Sequence, residues 1–166
     1  MGHDAVEIDF VMPWVDGSDP AWREEFLKYR ALQAPQGEPA CDTGTAAGAV
    51  DASEERYRDW DTLRYWFRGV ERFAPWVNRI HFITWGHLPA WLDTAHPKLH
   101  VVRHADYIPS PYLPTFNSCP IELNMHRIEG LAEHFVYFND DTFLCRPVGP
   151  ERFFLNGLPR DAARLA

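Results

Sequence analysis

The feature that most constrains this chain is a short apolar run that ends in Asn-Asp-Asp. Phe135 to Phe138 has the length and aromatic content of a buried strand. Asn139, Asp140 and Asp141 follow it directly. Because ligands of open α/β sheets bind beyond the carboxyl ends of the strands, we expect a ligand site here. Two carboxylates and a carboxamide suit Mg²⁺ or Mn²⁺, with substrate phosphates completing the shell.

Three other segments are predicted strands: 7–15, 79–84 and 99–102. The first is largely apolar, which favours a central place in the sheet. Helices are predicted over 20–33 and from about 61 to 73. Their predicted apolar stripes are Trp22, Phe26, Tyr29 and Leu32 in the first helix, and Leu63, Phe67, Val70 and Phe73 in the second.

A further helix is predicted before the Asn-Asp-Asp strand. Asn117 or Ser118 can cap it, and Pro120 suits its first turn. Glu122 and His126 stand four residues apart, so both side chains can point at one place. The predicted apolar face contains Ile121, Met125, Ile128 and Leu131.

The turn after the first strand, Asp16-Gly17-Ser18-Asp19-Pro20, has two interpretations. In one, the acidic side chains only form the turn, and Asp19 or Ser18 caps the following helix. In the other, the turn is a nucleotide-binding edge, because it also lies at a strand's carboxyl end.

Four arginines fall close together in the sequence, and they also have two interpretations. Arg56, Arg58, Arg64 and Arg68 can form a solvated helix face balanced by nearby acidic residues. As a group they can grip phosphate, since the planar guanidinium suits bidentate contact with phosphate oxygens. His104 follows the exit of the 99–102 strand, but a single histidine is more often a hydrogen-bonded core or surface residue than a ligand.

Composition limits the class of protein. A chain of 166 residues is one domain of ordinary size, and its formal charge of −8 disfavours nucleic acid as a partner. The three cysteines form no disulfide or zinc pattern. No apolar run is long enough to span a membrane, and the start lacks a signal peptide's features, so a cytoplasmic protein is expected. Residues 34–53 are predicted to be a mobile surface loop.

Several segments together resemble one family. Ile8 to Pro20 is similar to the first conserved region of the Stealth proteins. Six further segments resemble the second conserved region: 56–65, 74–77, 83–86, 113–118, 126–128 and 137–141. The resemblance describes residues 1–166 as a single Stealth-type catalytic domain, with the first region at 7–33, a flexible loop at 34–53 and the second region at 54–157. It also implies third and fourth regions, which the sequence does not contain.

The resemblance implies a hexose-1-phosphate transferase of capsule or exopolysaccharide synthesis. The expected fold is α/β and Rossmann-like, with a mostly parallel, glycosyltransferase-A-like sheet flanked by helices and incomplete at the C-terminus. A nucleotide-sugar would be the donor and a glycan the acceptor. Peripheral membrane contact is left open.

The resemblance also assigns roles to individual residues. It assigns nucleotide binding to Asp16, Gly17, Ser18 and Asp19. It makes Asp140 and Asp141 the ligands of the divalent metal. It places Arg64, Asn117 and His126 in the sugar-phosphate pocket.

The sequence departs from the family's pattern in places. Pro13 stands where a Thr or Ser is expected, and Trp85 where an Asn is usual. The third region would contribute a histidine thought to be catalytic. A metal-dependent glycosyltransferase and an inactive nucleotide-sugar-binding fragment therefore stay open as alternatives.

Overall fold

The computed structural model describes residues 6–33 and 57–160. Its main sheet contains β1 (Ile8–Pro13), β2 (Ile80–Thr84), β3 (Leu99–Arg103) and β4 (His134–Tyr137). The strands lie in the order β3-β2-β1-β4, and every pair is parallel. The α/β prediction and the central place of β1 are confirmed. The loop predicted at 34–53 and Arg56 lie outside the described residues.

Helices flank the sheet. They are α1 (Pro20–Gln33), α2 (Leu63–Phe73), and the short α3 (His104–Tyr107) and α4 (Ser118–Leu123). A small antiparallel hairpin of β5 (Phe154–Leu155) and β6 (Leu158–Pro159) follows. In the part of the chain that is described, no helix combines the length and apolar character needed to cross a membrane.

The two faces of the sheet carry separate cores because side chains alternate along each strand. On one face, Phe10 and Phe82 are fully buried and pack with Trp66 of α2. On the other, Val11 and Ile83 belong to a cluster that includes residues after β3 and after α4. The short segments that cover this second face also border the carboxyl edge of the sheet.

The predicted helix stripes need two corrections. In α2 the buried aromatic residue is Trp66, at 1% exposure, whereas Phe67 and Phe73 are half-buried. Spacings of three and four residues both keep a side chain on one helical face, and here the larger ring points at the sheet. In α1, Leu32 is 86% exposed. Tyr29 still contacts the ring of Phe116, whereas the last turn of the helix extends beyond that aromatic cluster.

The region before the Asn-Asp-Asp also differs from the prediction. Strand β4 is half-buried throughout, because it is an edge strand of the described sheet. The helix that begins after Asn117 ends at Leu123 and does not continue to Leu131. The side chain of Asn124 donates to the carbonyl of Pro120 at 2.8 Å, competing with the backbone bond that would extend the helix. A 3-10 turn, Met125–Arg127, follows.

A buried carboxylate joins the strands at their amino-terminal ends. Asp9 is fully buried, and it accepts hydrogen bonds from Asn78 Nδ2 at 2.8 Å, His81 Nε2 at 2.9 Å and the backbone N–H of Ala132 at 2.9 Å. Burial lowers the pKa of His81, so the neutral ring donates through Nε2–H. Nδ1 of His81 then accepts from Nδ1 of His100 at 3.0 Å. Sequence analysis did not identify this network.

Replacing Asp9 with Ala should strongly destabilise the fold, since it leaves buried donors on β2 and before β4 unpaired. We expect the free energy of unfolding to fall by about 3 kcal/mol or more. The measurement is urea unfolding followed by tryptophan fluorescence. Asp93→Ala is the control, because its exposed carboxylate accepts one local bond from Ala95. Equal stability of the two variants would contradict a structural role for Asp9.

Candidate active site

A cavity of about 520 Å³ lies at the carboxyl edge of the sheet. Its walls come from the exits of β1, β3 and β4 and from the segment around α4. The lining residues are Pro13, Trp14, Val15, Trp22, Tyr57, His104, Thr115, Phe116, Ser118, Ile121, Glu122, Tyr137, Asn139, Asp140 and Asp141. The cavity therefore lies where the strand exits predicted a ligand site.

Carboxylates concentrate at the β4 side of this cavity. Asp140, Asp141 and Glu122 all line it. Burial raises the pKa of Asp140, and the negative charge of Asp141 raises it further. The hydroxyl of Tyr137 lies 2.7 Å from Asn139 Oδ1 and 3.1 Å from Glu122 Oε1, so its one proton serves either acceptor. Burial and the charge of Glu122 also raise the pKa of Tyr137. This side of the cavity favours a positively charged ligand.

The donor set bears on the predicted metal. Within residues 6–33 and 57–160, no three His, Cys, Asp or Glu side chains are gathered as a metal-binding group. Asp140 and Asp141 offer hard oxygen ligands whose mutual repulsion a cation would relieve. Such a pair fits a divalent ion that takes its other ligands from phosphate and water. Their assignment as metal ligands stays a prediction.

The turn predicted to bind nucleotide is held by its own side chains. Asp16 Oδ1 accepts from the backbone N–H and the hydroxyl of Ser18, at 2.9 and 2.7 Å. Asp19 Oδ1 accepts from the backbone N–H of Trp22 at 2.8 Å and caps α1. These contacts match the turn-and-cap interpretation. Among the described cavity-lining residues none comes from 16–19, and their nucleotide-binding role stays a prediction.

The three residues predicted for the sugar-phosphate pocket lie apart. Asn117 caps α4, its Oδ1 accepting from the backbone N–H of Cys119 at 2.9 Å, between two cavity-lining neighbours. His126 is exposed on the 3-10 turn and is not among the described lining residues. Their proposed roles rest on the resemblance.

Arg64 lies in a different cavity, of about 530 Å³, between α2 and the segment that leads into β3. Its guanidinium is 3.0 Å from Asp61 Oδ1 and stands over the ring of Trp91, 5.5 Å from the centroid. Arg68 lines this second cavity too, and Arg58 lies over the ring of Trp60. Arg64 and Arg68 thus line a different cavity from Asp140 and Asp141.

Two histidines at the strand exits, His104 and His87, were not among the predicted site residues. His104 follows β3 and lines the cavity; burial and the neighbouring His87 lower its pKa to about 4. His87 follows β2, and its Nε2 accepts from the backbone N–H of Asp16 at 2.9 Å. Burial lowers the pKa of His87 as well. Position at a strand exit was the available signal, but it does not separate a core histidine from one that faces a cavity.

Fold and cavity together define an α/β protein with an acidic ligand cavity at the carboxyl edge of a parallel sheet. The family model for Stealth protein conserved region 1 matches residues 6–32, and that for conserved region 2 matches residues 56–161. The chain belongs to the Stealth family, which confirms the resemblance.

Curated relatives cover most of this chain. The capsular polysaccharide phosphotransferase WcwK of Streptococcus pneumoniae is 54% identical over 153 residues, which are 92% of this chain and 43% of the relative. The receptor polysaccharide phosphotransferase WefC of Streptococcus oralis is 47% identical, across 93% of this chain and 43% of the relative. The capsular polysaccharide phosphotransferase CpsJ of Streptococcus thermophilus is also 47% identical, across 92% and 60%. The chain thus spans about half the length of these relatives.

Gly17 is expected to tolerate no side chain, because the backbone of Tyr57 lies against it. An added Cβ would lie 2.7 Å from Tyr57 Cβ and 2.8 Å from its carbonyl oxygen, which already accepts from the Gly17 N–H. Gly17→Ala should lower the free energy of unfolding by about 1 to 3 kcal/mol. The neighbouring Ser18→Ala, which removes one exposed hydrogen bond, is the control for urea unfolding. If Gly17→Ala costs no more than Ser18→Ala, the close approach is not present in solution.

Stability should also depend on pH through His104. Its pKa is lowered from the usual 6.5 to about 4, so in this range the unfolded chain binds a proton that the folded chain excludes. The free energy of unfolding should therefore fall as the pH drops from about 6.5 to about 4. His104→Gln should flatten this slope in urea unfolding measured at several pH values. Identical slopes would mean that the folded protein protonates His104 normally.

Proposed function

We propose that this protein acts in transferring a hexose-1-phosphate from a nucleotide-sugar to a glycan acceptor during capsule or exopolysaccharide synthesis, in the cytoplasm. The supporting observation is the cavity that holds Asp140 and Asp141 at the carboxyl edge of the sheet. Relatives named as polysaccharide phosphotransferases support the reaction class.

The chemistry requires attack on phosphorus. An acceptor hydroxyl forms a bond to the phosphorus that carries the sugar, the bond from that phosphorus to the bridging oxygen breaks, and a nucleoside monophosphate leaves. Positioning and charge neutralisation supply most of the catalysis in such transfers. A divalent ion, when bound, neutralises phosphate charge that the acidic cavity would otherwise repel.

Side chains of the cavity divide the remaining tasks. Asp140 and Asp141 would hold the ion. Glu122 is a lining carboxylate beyond that pair, and it is suited to accept the proton of the attacking hydroxyl. The Tyr137 hydroxyl lies within 3.1 Å of Glu122 Oε1 and can donate to that carboxylate when it does not donate to Asn139.

The product separates this reaction from ordinary glycosyl transfer. Attack on phosphorus releases a nucleoside monophosphate, whereas attack on the sugar carbon releases a nucleoside diphosphate. With UDP-N-acetylglucosamine, Mg²⁺ and a relative's polysaccharide as acceptor, we expect UMP. Release of UDP would overturn the proposal in favour of a glycosyltransferase.

Donor binding tests the metal assignment. We expect calorimetry to show that UDP-N-acetylglucosamine binds in the presence of Mg²⁺ or Mn²⁺ and that chelation weakens binding at least tenfold. An Asp140→Asn, Asp141→Asn double variant should lose the metal-dependent part because it lacks the predicted ligands. The matched control is Asp93→Asn with Glu129→Gln, two exposed carboxylates that do not line the cavity. Metal-dependent binding that survives in the first variant would refute this assignment.

A further inference from the structure

His87 and His104 each leave a ring nitrogen buried and unpaired. The backbone N–H of Asp16 donates to His87 Nε2, so the neutral ring of His87 carries its proton on Nδ1. That Nδ1 has no hydrogen-bond partner among the described residues, and neither has Nδ1 of His104. Each ring therefore keeps one nitrogen that the folded chain itself does not use.

The environment of His104 determines which of its nitrogens carries the proton. A buried N–H without an acceptor is a costly defect, so the unpaired Nδ1 is better left as a lone pair. The proton of the neutral ring then lies on Nε2, which makes His104 a hydrogen-bond donor in the lining of the cavity.

The position of His104 indicates which part of a ligand it meets. It follows β3, while Asp140 and Asp141 follow β4, at the opposite edge of the four-stranded order β3-β2-β1-β4. Three strand spacings separate these edges, about 14 Å. If the phosphates lie beside the two aspartates, the group at His104 belongs to a part of the donor distant from the phosphates. The sugar is bonded directly to phosphate, whereas the nucleobase is separated from it by the ribose.

The cavity that His104 lines fits a nucleobase in chemical character. Trp22, Tyr57 and Phe116 line the same cavity and pack against one another, with ring centroids 5.0 and 5.5 Å from that of Trp22. These rings are only 4 to 8% exposed, so they give the cavity an apolar wall rather than open faces for stacking. An uncharged N–H donor suits a neutral carbonyl oxygen better than a phosphate, which favours a cationic partner.

We propose that His104 binds the nucleobase of the donor, its Nε2–H donating to a carbonyl oxygen of the base. This inference rests on the proposed function, because it takes the ligand to be a nucleotide-sugar whose phosphates lie near Asp140 and Asp141. It makes His104 a specificity-determining residue for the nucleotide.

The test compares two probes that share phosphates but differ in the base. Calorimetry with Mg²⁺ measures the binding of UDP and of pyrophosphate. His104→Phe keeps a ring but removes the hydrogen-bond donor. It should weaken the binding of UDP about 3- to 10-fold and leave the binding of pyrophosphate unchanged. His104→Gln, whose amide N–H₂ reaches a similar position, should restore UDP binding to within about twofold of the native value. His96→Phe, at an exposed histidine of the other cavity, is the matched control.

The outcomes separate this inference from the proposed function. If His104→Phe binds UDP as the native chain does, or weakens both probes equally, the base contact is refuted. If the native chain binds neither UDP nor UDP-N-acetylglucosamine, the proposed function fails and this inference fails with it. If His104→Phe does not fold, the ¹⁵N resonances of the native imidazole decide: the inference requires Nε2 of His104 to shift with UDP and not with pyrophosphate.

Discussion

The buried carboxylate of Asp9 is the interaction on which the rest of the structure depends. It accepts from Asn78, from His81 of β2 and from Ala132 just before β4, so one side chain joins the central strand to both of its neighbours. A one-residue slip of β2 or β4 would turn inward-facing residues to the opposite face. The partners of Asp9 disfavour such a slip. Fixed register at the amino-terminal ends in turn fixes which residues leave the sheet at the carboxyl ends.

The carboxyl edge then combines groups that favour a cation with groups that favour an uncharged part of a ligand. At the β4 side, carboxylates line the cavity, and burial together with the charge of Asp141 raises the pKa of Asp140, which calls for a cation. At the β3 side, burial lowers the pKa of His104 and disfavours charge. A ligand that presents an anionic, cation-binding group at one end and an uncharged group at the other matches both sides at once. A nucleotide-sugar has this division, since its charge is confined to the diphosphate.

Much of the fold could be predicted because it depends on local patterns. The strand at 79–84 and the helix at 20–33 follow from apolar runs and caps that act over a few residues. The early end of α4 could not be predicted, because Asn124 is tolerated inside a helix. Here its side chain donates a hydrogen bond to the carbonyl of Pro120 and competes with the helix. In the site, Asp140 and Asp141 followed from the strand-exit rule. The placement of Arg64 could not be deduced, because it depends on how α2 packs against the segment that leads into β3.

Histidines at the two ends of β2 and β3 show why sequence alone does not separate structural from functional residues. His81 and His100 are direct partners across the ladder, and Asp9 satisfies the free end of the pair. His87 and His104 lie beyond the ladder, where the described residues supply one backbone N–H and leave two ring nitrogens unpaired. The residue type is the same in both pairs. The difference lies in what the fold supplies on either side: the first pair is satisfied within the sheet, whereas His104 lines a cavity in which its Nε2 can meet a ligand.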